Sequence, residues 1–167
     1  MKSRFVFALA VVLALLTAAP ASAGAPTRQF LPAGPFDVTG ACPFVVHVDY
    51  LVNKEYAITF TDADGNPTHA IVQGDLVAKF TNVSNGHSVT INISGPGRYD
   101  FGSDGSLLVT AWGNWTFPFV PGQLGTGAPG ELILNQGMLV LYVSPNGFDE
   151  TIVSHQGKQT DVCALIS

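Results

Sequence analysis

His47 and Asp49 lie two positions apart in a run that reads as extended chain, so both side chains project from one face. A histidine beside a carboxylate can serve acid–base work or supply part of a metal site. The same pair also serves as a hydrogen-bonded contact on an outer face, or as a polar spot in a barrel lumen. His69, His87 and His155 fall on or beside other predicted strands, and a zinc ion would need several of them to converge. Their spacing gives no support for convergence, so no metal and no cofactor is expected. Asp62, Asp64 and Asn66 suggest a calcium loop, but Pro67 and Gln73 stand where that loop needs Gly and Glu. The segment predicts a hairpin turn instead. Gly102-Ser103-Asp104-Gly105-Ser106 is no nucleophile elbow, because no helix follows it. No catalytic residue is identified, and the chain reads as leaning away from an enzyme.

The aromatic group is the strongest candidate for binding. Trp112, Trp115, Phe117 and Phe119 fall close together, beside the glycine-rich loop from Pro121 to Gly130. On an extended segment Trp115, Phe117 and Phe119 share a side, while Trp112 has the other parity unless Gly113 introduces a bulge. Exposed, the group would stack on sugar rings or anchor a partner. Buried, it would plug a barrel mouth.

The elements that must position these side chains are strands. Phe44, Val46, Val48, Tyr50 and Val52 alternate with polar residues, and so do Tyr56, Ile58 and Phe60 with Glu55, Ala57, Thr59 and Thr61. Leu76, Ala78 and Phe80, then Val89, Ile91 and Ile93, repeat the period of two. Turn residues at Asp62–Pro67, Ser84–Gly86, Gly95–Gly97, Gly102–Gly105, Asn146-Gly147 and Gln156-Gly157 separate the runs. About nine to eleven short strands result, with no convincing amphipathic helix. That pattern predicts an all-β antiparallel barrel of about 8–10 short strands, with a β-sandwich as the alternative.

Cys42 and Cys163 flank this region and make an even pair, which predicts a structural disulfide. Cys42 precedes the first strand of the domain and Cys163 ends the last. A bond between them would bring the terminal strands together, as barrel closure requires.

Lys2 and Arg4 precede the apolar run Phe5 to Leu16, and Ala21-Ser22-Ala23 follows. That is a signal peptide over residues 1–23, with cleavage expected before Gly24. The apolar run is too short to span a bilayer, and no transmembrane segment is expected in the mature chain. Residues 24–41 are rich in Pro and Gly and read as a leader or linker, and 42–167 as the all-β domain. Beyond the signal, Arg28, Lys54, Lys79, Arg98 and Lys158 face 12 acidic residues. Nucleic acid is excluded as a partner, because its binding rests on basic residues neutralising phosphates.

Cys42-Pro43-Phe44-Val45-Val46, the run His87 to Gly97 with its ending Ser94-Gly95-Pro96-Gly97, and Thr160-Asp161-Val162-Cys163-Ala164 resemble a family of small secreted β-rich proteins of high-GC Gram-positive bacteria. The family is uncharacterised, so the resemblance implies a secreted β fold and no chemistry. The sequence as a whole leads to an expectation of a secreted, non-catalytic binding or surface-interaction module. Its partner would be a glycan, a cell-wall component or a small apolar ligand. Two alternatives stand beside it: a small barrel holding an apolar ligand in its lumen, with isomerase- or cyclase-like activity, and a structural cell-surface protein.

Overall fold

The computed structural model describes residues 25–167; the signal segment lies outside the described residues. Eleven strands are present there: β1 (Thr27–Phe30), β2 (Phe36–Val38), β3 (Val46–Asn53), β4 (Tyr56–Thr61), β5 (Pro67–Gln73), β6 (Leu76–Asn82), β7 (Ser88–Asn92), β8 (Gly97–Phe101), β9 (Leu107–Phe119), β10 (Glu131–Val143) and β11 (Glu150–Asp161). A four-residue helix, α1 (Val162–Leu165), follows them. No helix among the described residues is long and apolar enough to cross a membrane. The Pro- and Gly-rich stretch contributes β1 and β2, both at sheet edges, where a neighbouring proline costs no ladder bond.

The strands form two antiparallel sheets. The larger runs β1-β4-β5-β8-β9-β10-β11, and the smaller β2-β3-β6-β7. Period-two alternation builds their shared core. Val46 and Val48 of β3 and Leu76, Ala78 and Phe80 of β6 turn one face of the small sheet inward. Leu132 and Leu134 of β10 meet them from the large sheet, and Val162 and Ile166 close the end. Burial of side chains of this size contributes roughly 1.5–3 kcal/mol each. Asn82 sits in this core because its Nδ2 donates to the Ile166 carbonyl at 3.0 Å.

The Cys42–Cys163 disulfide is present, with Cα atoms 5.6 Å apart across 121 residues of sequence. Its structural role differs from the expectation of barrel closure. Cys42 lies between β2 and β3 of the small sheet, and Cys163 lies in α1, just after β11 of the large one. The bond therefore ties one sheet to the other. β1 and β11 stand at opposite edges of the large sheet, and no closed barrel is found among the described strands.

A second departure concerns glycine. Gln156-Gly157 reads as a turn in the sequence, but it lies inside β11, and Gly113 lies inside β9 without any shift of register against β10. Gly113, Gly137 and Gly157 are cross-strand partners in one row through β9, β10 and β11. All three have positive φ, at 82°, 140° and 107°. Side chains are hard to place there: a Cβ on Gly137 would lie 2.2 Å from the Gln156 carbonyl oxygen.

The row creases the three longest strands into two panels. Trp115 records the bend. Gly97 pairs with Ala111, four residues before Trp115, which is about 13 Å along a flat strand. Yet a Cβ on Gly97 would come within 2.5 Å of the Trp115 ring. The sheet must fold towards its odd-numbered face for the indole to arrive there.

Candidate functional site

The creased sheet shelters a groove of about 430 Å³ on its inner face. Its floor is made of short side chains, because Ala57, Thr59, Ala70 and Val72 are cross-strand neighbours of β4 and β5 on that face. Tyr99, Phe101 and Trp115 rise around them, with Glu55 and Gln29 supplying the polar groups. Small residues beneath large ones leave the space; a Leu or Phe at Ala57 or Ala70 would fill it.

Trp115 is seated by the Ser94-Gly95-Pro96-Gly97 segment. A Cβ on Gly95 would lie 2.7 Å from the indole Nε1 and 2.1 Å from the Trp112 carbonyl oxygen. The Trp112 amide donates to the Pro96 carbonyl at 2.9 Å, which holds the segment in place. Both glycines are thus required by the close approach of a ring and a backbone.

From Trp115 a ladder of rings runs into the core. Tyr99 and Trp115 centroids are 6.4 Å apart, Trp115 and Phe117 6.1 Å, and Phe117 and Phe119 6.0 Å. Phe119 is buried with Val109, Leu139 and Leu141, and Leu124 of the glycine-rich loop covers that cluster. Gln123 fixes the loop by donating to Glu150 at 2.7 Å. So the three aromatics of one parity divide by depth: Phe119 is core, Phe117 packs against it, and half-buried Trp115 lines the groove. Trp112 stands apart on the opposite face, 41% exposed.

Polar atoms beside the ladder lack partners. The indole Nε1 of Trp115 and both amide atoms of Asn135 are buried without a hydrogen bond among the described residues. Asn135 and Trp115 are direct cross-strand partners. Glu55 is half-buried, and burial pushes its carboxyl above the ordinary range. Tyr99 is pushed up to about 12 by burial, with the nearby Glu55 charge adding to it.

The histidines do not meet. His47 lies on the small sheet, where its Nδ1 is 2.6 Å from Asp37 Oδ1 and its Nε2 is 3.4 Å from Asp49 Oδ1. Asp37 is therefore the closer partner, brought opposite His47 by the β2–β3 register. The hydrogen bond that the ring donates to Asp37 raises the imidazole pKa. His69 stacks on Phe60 at 4.4 Å, His87 Nδ1 is 2.9 Å from the Ser167 carbonyl oxygen, and His155 is exposed on β11. No group of three or more His, Cys, Asp or Glu able to hold a metal occurs among the described residues. Asp62 closes the β4–β5 hairpin, accepting from the Asp64 amide at 2.9 Å and the Asn66 amide at 2.8 Å.

Sequence reasoning missed Glu55, Gln29, Tyr99 and Phe101 as groove residues, and Asp37 as the partner of His47. The alternation Glu55, Ala57, Thr59 did carry the parity of the groove face, but its small and polar residues look like a solvent face. Compared with known proteins, the chain matches no family model, no curated protein and no solved structure.

Proposed function

We propose that the chain is an exported, non-catalytic binding module that takes its ligand in the groove beneath Trp115. One observation carries this reading: a half-buried indole, seated on two obligatory glycines, faces an unfilled floor of short side chains. Small residues in the floor and large ones at the rim shape a recess that is open to solvent. The groove's volume lies within the range of small-ligand sites. Its short apolar floor suits a compact ligand with an apolar body better than an extended glycan. Export is supported by the signal sequence and is compatible with the disulfide.

The test is a binding screen of the exported protein against small apolar compounds and soluble cell-wall glycans, read by intrinsic tryptophan fluorescence. Trp112→Phe leaves Trp115 as the sole reporter. Hits should quench or shift that signal and should weaken at least ten-fold with Ala57→Leu, which fills the floor. Ligands that bind the Ala57→Leu protein as well as the wild type, and lose affinity with Trp112→Ala, would move the site to the opposite face of the sheet.

A further inference from the structure

We propose that the groove's ligand carries a cationic head, a protonated or quaternary amine, which Glu55 neutralises while Trp115, Tyr99 and Phe101 surround it. This rests on the binding reading above and adds the charge of what is bound. Glu55 lines the groove together with those three rings. Most other carboxylates of the described chain have a donor or a base: Asp37 and Asp49 have His47, Asp75 has Lys54, and Asp100 has Arg98. Glu150 has Gln123. The Glu55 carboxylate has neither an ion-pair partner nor a hydrogen-bond donor among the described residues, although it is half-buried.

No Lys, Arg or His lines the groove. The bases nearest in sequence or sheet are engaged elsewhere. Lys54 reaches Asp75 at 3.5 Å, and the Arg28 guanidinium lies 3.7 Å over the Tyr56 ring on the sheet's other face. An anion would meet an unopposed carboxylate and the negative faces of the rings. A neutral ligand would strip water from the carboxylate and return nothing to it. A cation satisfies both, because ring faces attract positive charge and the carboxylate gains the partner it lacks. The burial that raises the Glu55 pKa is the same desolvation that such a cation would offset.

The experiment measures binding of benzyltrimethylammonium, its uncharged isostere neopentylbenzene, and benzylsulfonate to the exported protein, by calorimetry and Trp115 fluorescence. The wild type should favour the cation over the isostere by at least ten-fold and should not bind the anion. Glu55→Gln, which keeps the side chain's shape, should abolish that preference while leaving affinity for the isostere within two-fold. Equal binding of cation and isostere, unchanged in Glu55→Gln but weakened by Ala57→Leu, would overturn the charge assignment and leave the groove standing. Absence of binding by all three probes, or binding indifferent to Ala57→Leu, would overturn the groove as well.

Discussion

At the scale of single residues, two side chains make quantitative demands. His47 is held by Asp37 and Asp49, and its pKa is raised by the hydrogen bond it donates to Asp37. The folded state therefore holds the imidazole proton more tightly than the unfolded chain does. The pair's contribution is fully present below the ordinary histidine value of about 6.5 and disappears as pH rises through the raised folded value. An NMR titration of His47 should show a midpoint above the ordinary value in the wild type and a return towards it in Asp37→Asn. The effect on stability will be small, because the pair faces water. Asn135 makes the opposite demand. Its amide is fully buried with neither atom bonded among the described residues, and an unmet buried polar group costs about 1–3 kcal/mol. Asn135→Leu should raise the free energy of urea unfolding by about 1 kcal/mol. A fall instead would mean that the amide has a partner in solution that compensates its burial.

The same scale shows what the chain made legible. Trp115, Phe117 and Phe119 share a side, as strand parity requires, and their rings stack in order. The convergence of Glu55, Tyr99 and Trp115 was not legible. It depends on β4 pairing with β5, β5 with β8 and β8 with β9, and single-strand periodicity carries no information about which strands become neighbours.

At the scale of elements, glycine with positive φ has two uses that the sequence does not separate. Gly65 turns the β4–β5 hairpin and has open space around the position of a Cβ. Gly137 stands in mid-strand, where a Cβ would collide with the Gln156 carbonyl. Gly65→Ala should therefore cost about 1 kcal/mol, the backbone penalty alone. Gly137→Ala should cost about 3 kcal/mol, because steric overlap adds to that penalty. Chemical denaturation of the two variants side by side measures the difference, and equal losses would contradict the crease. Gln156-Gly157 looks like a turn for the same reason: the residue types are those of a turn, and only the partners Gly137 and Gly113 place it in a row. The alternating runs of β3, β6 and β7 were legible because each has one face in contact with a core and the other less so, whereas β4 is half-buried on both faces.

At the scale of the whole molecule, the disulfide adds a covalent tie between sheets that the chain already joins at the β3–β4, β5–β6 and β7–β8 connections and that pack through side chains. Its loop spans 121 residues, and the chain-entropy model assigns such a closure about 4–5 kcal/mol as an upper figure. Cys42→Ser with Cys163→Ser should lower the unfolding free energy by up to about 4–5 kcal/mol, measured against the oxidised wild type in urea. A loss well under 1 kcal/mol would show that the core around Val46, Leu132 and Ile166 holds the sheets together without it. The all-β class and the cysteine pairing were legible at this scale, but β1 and β2 were not, because they lie in the Pro- and Gly-rich stretch that reads as a linker. The order of strands within the two sheets was not, since turn spacing permits several ways of pairing them.

The glycine row has one more consequence. Trp115 stands on one side of it, while Glu55, Tyr99 and Phe101 stand on the other. The side bearing Trp115 is anchored, through Leu132, Leu134 and the sulfur bridge, to the small sheet. The spacing between indole and carboxylate thus depends on the backbone of this row as well as on the side chains that line the groove. On the proposed reading, substitutions beside the glycine row would widen or narrow the groove while leaving its lining side chains unchanged.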